Sequence, residues 1–367
     1  MNLYKNNNNY NKKRMPMKKK RYVSLFMLLF MMLIAGCNQK QTEEETKPMG
    51  AMVQDAQESK IVDEQKEDVS GFSISGTMLL DANGNEFVIR GINYPHAWYA
   101  DNAEISIPAI AKTGANSVRV VCGSGSQYNV TRLAEIKNLC ELAKKNKLVI
   151  ILEAHDATGS NEIEDLRQIT EYWLEQKEAL QGTEDYCILN IANEWVGEWD
   201  GSLWCDGYVE AIQKLREAGI KNTIMIDSPG WGQYAEAIKD YGMSVFSADA
   251  DRNTMFSVHM YGTAGKDAQT IEANIKAATE QGLCICVGEF GYLHGDGDVD
   301  EEYIMKYCME NNIGYLGWSW KGNSGGVEYL DIATEWDGSV LSAEWGEVLI
   351  HGEYGIEKTS KICSIYE

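Results

Sequence analysis

Eight short apolar segments recur between residues 87 and 320, and stretches with helical periodicity separate them. Most of the segments are continuously apolar, which is typical of parallel strands that are buried on both faces. They are FVIRGINY (87–94), SVRVV (117–121), LVIILEAH (148–155), CILNIANE (187–194), TIMIDSPG (223–230), MFSVHMY (255–261), LCICVGEF (283–290) and GYLGWSW (314–320). Eight β/α units in about 300 residues match the size of a TIM barrel. The sequence therefore predicts the α/β class and a (β/α)8 TIM barrel.

The stretches between the apolar segments predict helices. In 130–143 the apolar residues share one face, and lysines follow at the C-terminal end, where the helix dipole favours cations. A second helix is predicted over 203–218, ending before Gly219. A short hairpin with Asn83–Gly84 as its turn is expected before the first barrel strand. The competing arrangement, a doubly wound sheet, predicts a glycine-rich phosphate loop after the first strand, and GINYPHAW is not such a loop.

The first 36 residues have the pattern of an export signal. Residues 1–21 hold eight Lys or Arg and no acid, and an apolar run of 15 residues, 22–36, follows. That run is short for a membrane span. It ends in IAGC, which resembles a bacterial lipobox, so residues 1–36 are expected to be a lipoprotein signal peptide with Cys37 acylated. We therefore expect an exported chain held at the outer face of the cell membrane by this lipid anchor, or secreted if the signal peptide is an ordinary one.

Residues 37–70 are expected to form a disordered acidic tether after the acylated Cys37, because positions 38–70 have no aromatic residue and few large apolar ones. Residues 71–367 are then a single catalytic domain, expected to be a monomer. Removing the eight basic residues of the leader leaves 25 Lys and Arg against 55 acids, a net charge of −30. Such a charge excludes nucleic acid as a partner, because phosphates need a basic surface.

Polar residues stand at the C-terminal ends of the predicted strands, which is where TIM barrels place their catalytic groups. Glu194 and Glu289 end the fourth and seventh segments, although burying a carboxylate in a strand costs desolvation energy. Two carboxylates that face each other across a barrel mouth suit glycoside hydrolysis. The other polar or aromatic strand-end residues are His96, Trp98, Arg119, His155, Asp156, Asn193, His259, Tyr261, Trp318 and Trp320.

Metal-dependent chemistry is the alternative use of such a site, and the sequence does not favour it. The five histidines are scattered singly, whereas a catalytic metal usually needs clustered histidine ligands. The cysteines include no CxxC pair, and Cys187, Cys284 and Cys286 lie in apolar segments that predict a buried position. We therefore expect no metal and no cofactor.

Several segments resemble one family. LNIANE (189–194), HMYG (259–262), GEFG (288–291) and GWSW (317–320) resemble the signatures of glycoside hydrolase family 5, a group of retaining TIM-barrel enzymes. Longer segments, among them FVIRGINYPHAWYAD, LEAHDATG and GYLGWSWKGNSGGVEYLD, resemble the bacterial endo-β-1,4-mannanases of that family, and the likeness covers roughly residues 71–350. The resemblance implies endo-acting cleavage of β-1,4-mannosidic bonds in mannan, glucomannan or galactomannan by double displacement, without a cofactor.

The resemblance also implies roles for individual residues. Glu194 matches the acid/base, and Glu289 matches the nucleophile that forms the glycosyl-enzyme. Eight further residues match or lie near positions that contact substrate or support this pair: Arg119 and Tyr261 at the nucleophile, Asn193 at the sugar 2-hydroxyl, His155 and His259 in the polar network, Trp318 under the sugar at the cleaved position, and His96 and Trp98 near the first strand.

Two other functions stay open on the sequence alone, namely another retaining β-glycanase of the family, such as a β-1,4-glucanase, and a glycan-binding lipoprotein without catalysis. The chain also departs from the family at position 195, where Trp195 follows Glu194 and many members have Pro. This departure leaves the leaving-group side of the cleft undefined. Besides Trp98, which is open in the same way, four tryptophans are either sugar platforms or packing residues, namely Trp195, Trp199, Trp204 and Trp231.

Overall fold

The computed structural model describes residues 71–367, in which eight parallel strands close into a barrel in chain order, with the eighth strand beside the first. The strands are β1 (Arg90–Tyr94), β2 (Ser117–Cys122), β3 (Val149–Ala154), β4 (Cys187–Asn190), β5 (Ile224–Asp227), β6 (Thr254–Met260), β7 (Ile285–Phe290) and β8 (Gly314–Gly317). Each of the eight apolar segments supplies one strand, so the prediction of a TIM barrel is confirmed.

A helix follows each strand and packs on the outside of the barrel. The helices are α1 (Ala103–Lys112), α2 (Leu133–Lys145), α3 (Ile163–Glu175), α4 (Gly201–Glu217), α5 (Glu236–Ala248), α6 (Ala268–Thr279), α7 (Glu301–Glu310) and α8 (Gly346–His351). Shorter helical segments lie at His96–Tyr99, Ala100–Asn102, Lys177–Leu180, Glu328–Leu330, Ile356–Thr359 and Ser364–Tyr366. The two helices predicted from the sequence are present, and Gly219, with φ of +85°, follows the end of α4.

A hairpin of two short strands, Ser73–Ser75 and Met78–Leu80, precedes the barrel. Its turn lies at Gly76–Thr77, earlier than predicted, because the positive φ of Gly76 suits a tight turn. Asn83–Gly84 forms a second turn, in which the Gly84 N–H donates to the Asp81 carbonyl. The sequence therefore locates a turn at this position but not the turn of the hairpin.

The barrel interior changes from apolar to polar along the strands. Because alternate residues of a strand point to the same face, each strand sends every second side chain inward. Near the N-terminal ends the inward side chains form one apolar cluster with Phe72 and Phe87, and they include Val149, Ile151, Ile188, Met225, Met255, Cys286 and Leu316. Toward the C-terminal ends the buried residues at the same alternation are polar: Arg119, Glu153, Asn190, Asp227 and His259. An apolar layer thus fills the N-terminal end of the barrel, and a polar layer follows it at the C-terminal end.

The other predictions from the sequence concern the cysteines and the segment before residue 71. All eight cysteines between residues 71 and 367 are buried free thiols, which confirms a core position for Cys187, Cys284 and Cys286. Across the same residues, no helix combines the length and the apolar character needed to cross a membrane. The predicted signal peptide (1–36) and the acylated tether (37–70) lie outside the described residues and stay predictions.

Candidate active site

Glu194 and Glu289 meet at the C-terminal end of the barrel. Glu289 lies on β7, and Glu194 lies four residues beyond the end of β4. One carboxylate oxygen of each glutamate and a ring nitrogen of His259 lie within 4.8 Å of one another. Both glutamates are mostly buried, yet they line an open cleft of about 490 Å³. This spacing suits a retaining glycosidase, in which the two carboxyl groups are about 5–5.5 Å apart.

Two hydrogen-bond donors and two nearby cations face the buried carboxylate of Glu289. Arg119 donates from Nη1 to Oε1 at 2.8 Å, and the Tyr261 hydroxyl donates to Oε2 at 2.8 Å. Burial raises the pKa of Glu289, the positive charges of His259 and Arg119 oppose that rise, and the charge of Glu194 adds to it. The two donors on Glu289 stabilise a negative charge on its carboxylate and so act against the burial that raises its pKa.

Arg119 organises the centre of the polar layer. Its guanidinium is fully buried and donates to Asn190 Oδ1 at 2.8 Å, to Asn93 Oδ1 at 3.0 Å and to Asn193 Oδ1 at 2.7 Å, in addition to Glu289. The planar fork therefore fixes the Glu289 carboxylate and the Asn193 amide relative to each other. With its oxygen held in this way, Asn193 is oriented beside the cleft that it lines.

The surroundings of Glu194 are built around His259. The His259 Nδ1 lies 2.7 Å from Glu194 Oε1 and 3.6 Å from Glu289 Oε2. Nε2 lies 3.4 Å from Asp227 Oδ2, an ion-pair distance without an aligned hydrogen bond. Burial alone would lower the pKa of His259, but the charges of Glu289 and Asp227 raise it to about 10. The imidazole is therefore cationic at neutral pH, and its Nδ1–H donates to Glu194.

The backbone at Glu194 adopts a left-handed conformation, with φ of +47°. Two hydrogen bonds hold it: its N–H donates to Asp227 Oδ2 at 3.2 Å, and its carbonyl accepts from the Gly159 N–H at 3.1 Å. A Cβ at position 159 would lie 2.2 Å from the Trp231 ring, so only glycine permits this close approach. The conformation costs about 1 kcal/mol or more, and its neighbours must supply that energy.

His155 and Trp318 lie side by side in the lining of the cleft. His155 Nδ1 lies 3.0 Å from Glu153 Oε1, and the His155 ring stacks on Trp318 with centroids 6.0 Å apart and an interplanar angle of 19°. Trp318 Nε1 donates to Asn323 Oδ1 at 3.0 Å, which fixes the indole. Both His155 and Trp318 line the cleft with the glutamates.

The structure places the two remaining predicted residues away from the reacting carboxylates. Trp98 is 40% exposed and meets the His155 ring edge-on at 5.1 Å, so it lies at the rim. His96 is buried, with Nε2 2.8 Å from Glu135 Oε1. Both line a separate cavity of about 300 Å³ instead of the main cleft. The geometry brings Trp98 next to the site and leaves His96 outside it.

The tryptophans left open by the sequence fall into two groups. Trp195 and Trp204 are fully buried, and Trp195 packs edge-on against Tyr208 and donates from Nε1 to the Glu162 carbonyl at 3.1 Å. Trp199 and Trp231 are 58% and 51% exposed and line the cleft. The indole that replaces the family's proline is therefore a packing residue, and the cleft wall on this side is formed by Trp199 and Trp231.

Sequence reasoning missed several residues of the site. Asp227 gave the same signal as the two glutamates, an acid at the end of an apolar segment, and Glu153 lies near the C-terminal end of another. Loop residues gave no such signal: Asp296 accepts hydrogen bonds from the Thr263 backbone and from Gln233, and so joins the loops after β5, β6 and β7. Gln233 and Thr263 themselves line the cleft, and the other missed lining residues are Gly230, Val327 and Leu330. His294 lines the cleft as well.

The chemistry of the donor set bears on metal binding. Within residues 71–367, the sole group of three possible ligands that are close enough for one ion is Glu194, His259 and Glu289. Arg119 and Tyr261 already donate to both oxygens of Glu289, and a guanidinium at 2.8 Å repels a cation. The arrangement fits a pair of reacting carboxylates better than a cation site.

Comparisons with known proteins agree with this geometry. A model described as cellulase (glycosyl hydrolase family 5) matches residues 80–324. The mannan endo-1,4-beta-mannosidase of Salipaludibacillus agaradhaerens is 50% identical over 297 residues, covering 81% of this chain and 96% of that protein. The solved β-mannanase from Thermomonospora fusca is 39% identical with a TM-score of 0.77, covering 81% of this chain and 99% of that one. Its mannohexaose complex is 38% identical with a TM-score of 0.76 at the same coverage. The chain therefore belongs to glycosyl hydrolase family 5.

Proposed function

We propose that this protein is a retaining endo-β-1,4-mannanase that cleaves mannan, glucomannan or galactomannan. The observation that carries the reaction type is the pair of carboxylates, Glu194 and Glu289, within 4.8 Å of each other in an open cleft. The substrate class is supported by the mannan endo-1,4-beta-mannosidase that is 50% identical and by the relative solved with mannohexaose.

In the first step, a carboxylate oxygen of Glu289 attacks the anomeric carbon while Glu194 donates its proton to the departing glycosidic oxygen. The bond from carbon to the leaving sugar breaks, and a covalent glycosyl-enzyme forms with inverted configuration. Arg119 and Tyr261 orient the attacking carboxylate through their 2.8 Å hydrogen bonds. We assign to Asn193 the contact with the sugar 2-hydroxyl, which strengthens as positive charge develops on the sugar.

In the second step, a water molecule replaces the leaving sugar. Glu194, now ionised, takes a proton from this water as its oxygen attacks the anomeric carbon, and the bond to Glu289 breaks. Glu194 thereby regains the proton that it lost, and Glu289 regains its charge. The second inversion restores the original β configuration of the released sugar. Neither of the two steps requires a cofactor.

Product analysis tests this proposal. Proton NMR of early manno-oligosaccharide digests should show the β-anomer first, because two inversions restore the starting configuration. A first product with the α-anomer would eliminate double displacement. Parallel digestion of mannan, glucomannan and carboxymethylcellulose should show mixed-length oligosaccharides from the first two. Cleavage of carboxymethylcellulose without cleavage of mannan would identify a β-1,4-glucanase instead.

Replacing Trp231 by Ala should weaken substrate binding more than catalysis. The indole is half exposed along the cleft, and a flat aromatic face is a good contact surface for a sugar ring. We expect KM for mannan to rise by about tenfold, equivalent to about 1.4 kcal/mol, with kcat nearly unchanged. Trp231→Phe, which keeps a flat ring, should give an intermediate KM. An unchanged KM in Trp231→Ala would show that sugars do not contact this side chain.

The location of the protein is a further part of the proposal, and it is supported by the sequence of residues 1–37. Acylation of Cys37 should keep the protein in the membrane fraction of its host. In Cys37→Ala cells, we expect incorporation of labelled palmitate into the protein to be lost. Cys205→Ala, which removes a cysteine from α4, should keep the label. Absence of label in the unsubstituted protein would indicate an ordinary signal peptide and secretion.

A further inference from the structure

Asp227, at the end of β5, lies between Arg119 and His259, each of which contacts one of the two catalytic glutamates. Its side chain is fully buried and does not line the cleft. Oδ2 accepts from the Glu194 N–H at 3.2 Å and lies 3.3 Å from Arg119 Nη2 and 3.4 Å from His259 Nε2. One carboxylate oxygen therefore contacts the acid/base backbone and both cations of the site.

The two cations that face Asp227 each contact a different catalytic carboxylate. Arg119 donates to Glu289, and His259 donates to Glu194. A buried carboxylate is costly unless it is paired, and the charge of Asp227 is shared between these two partners. Because the substrate cannot reach Asp227, its effect on the reaction has to pass through Arg119, His259 and the Glu194 backbone.

We propose that Asp227 is a positioning residue that keeps His259 in its cationic form and fixes the strained backbone of Glu194, so that the acid/base retains its hydrogen bond from His259. The inference rests on the proposed glycosidase function. The same logic applies to the buried aspartate of a Ser-His-Asp triad, which orients a histidine and stabilises its charge without touching the substrate.

The charges around His259 give the sign of the pH effect. Three carboxylates face the His259 ring: Glu194 from the segment after β4, Asp227 from β5 and Glu289 from β7. Arg119 contacts Asp227, and the neutral Tyr261 donates its hydroxyl hydrogen to Glu289. Burial lowers the pKa of His259, and the charges of Glu289 and Asp227 raise it to about 10. Asp227→Asn removes one of these charges, so His259 should lose its proton at lower pH. The alkaline limb of the pH–rate profile should then move to lower pH.

Histidine-selective 15N NMR of the full domain tests the proposal directly, with His259→Gln used to assign the resonance. In the unsubstituted protein, His259 should stay cationic through pH 9. In Asp227→Asn, it should titrate at least one pH unit lower than in the unsubstituted protein. We also expect kcat on mannan to fall about 10- to 100-fold, with KM almost unchanged, as for other groups that orient a functional histidine.

Asp249→Asn is a matched control. Asp249 is also buried and pairs with Arg216 at 2.8 and 3.0 Å, in the segment between α5 and β6 at the opposite end of the barrel. The control should lower the melting temperature and leave the His259 titration and kcat unchanged.

Three results would overturn the proposal. The first is a His259 titration near the ordinary value of about 6.5 in the unsubstituted protein, which requires no variant to fold. The second is an unchanged kcat in Asp227→Asn, and the third is a fall in kcat without a shift of the His259 titration. A protein that does not hydrolyse mannan would refute the proposed function, whereas the NMR titration reports on Asp227 independently of activity.

Discussion

Replacing Glu289 by Ala is expected to lower kcat/KM by at least about 10⁴-fold, because the variant has no group to form the glycosyl-enzyme. Folding should survive the change, since Arg119 keeps its contacts with Asp227, Asn190 and Asn193. The measurement is the hydrolysis rate of mannohexaose, with thermal unfolding as the check on structure. Glu280→Ala, which removes an exposed acid at the end of α6, should retain full activity.

Azide distinguishes loss of a nucleophile from loss of structure. The Ala side chain leaves room beside Arg119 for a small anion, and azide there can attack the anomeric carbon of an activated aryl β-mannobioside once. The product should be the α-mannosyl azide, because a single displacement inverts configuration. Undiminished hydrolysis in Glu289→Ala would contradict the assignment. Mannan binding without hydrolysis by the unsubstituted protein would favour the glycan-binding lipoprotein.

The fold was predictable because strand burial leaves a continuous apolar signal, which eight segments carry. The ends of the strands were less predictable. The fourth segment continues to Glu194, but β4 ends at Asn190. Ile191 and Asn193 still donate backbone hydrogen bonds to Met225 and Ala154 of the neighbouring strands, and the left-handed backbone follows only at Glu194. A run of apolar letters contains no information about where pairing stops, since Ile191 and Ala192 are buried as deeply as the strand itself.

The site was predictable where strands carry it and less so where loops do. Strand ends of a barrel converge, so acids at two such ends indicated that Glu194 and Glu289 would meet, and the same reasoning applied to Asp227 would have included it. His96 begins a short helical segment after β1, and Glu135, whose Oε1 lies 2.8 Å from His96 Nε2, belongs to α2. Contacts of this kind join residues that are distant in sequence, so periodicity cannot reveal them.

Replacing Glu194 by Gln should have an effect that depends on the leaving group. Removing a general acid costs about 10²- to 10⁴-fold when the departing sugar needs a proton, as in mannan. A dinitrophenyl leaving group needs none, so the first step with that substrate should be nearly unimpaired. The second step still lacks its base, and the glycosyl-enzyme should accumulate as a burst of dinitrophenol followed by slow turnover. Glu198→Gln, an exposed acid in the same loop, should show neither effect.

Azide should again report on the mechanism, now with the opposite stereochemistry. In Glu194→Ala the nucleophile is intact, so azide attacks the glycosyl-enzyme in place of water and needs no base to do so. The steady rate with the dinitrophenyl substrate should rise, and the product should be the β-mannosyl azide formed by two inversions. Because the Glu289 variant should give the α-anomer, exchanged products would mean that the two roles are reversed. If azide changes the rate of neither variant, these carboxylates are not the reacting pair, even though they lie within 4.8 Å of each other.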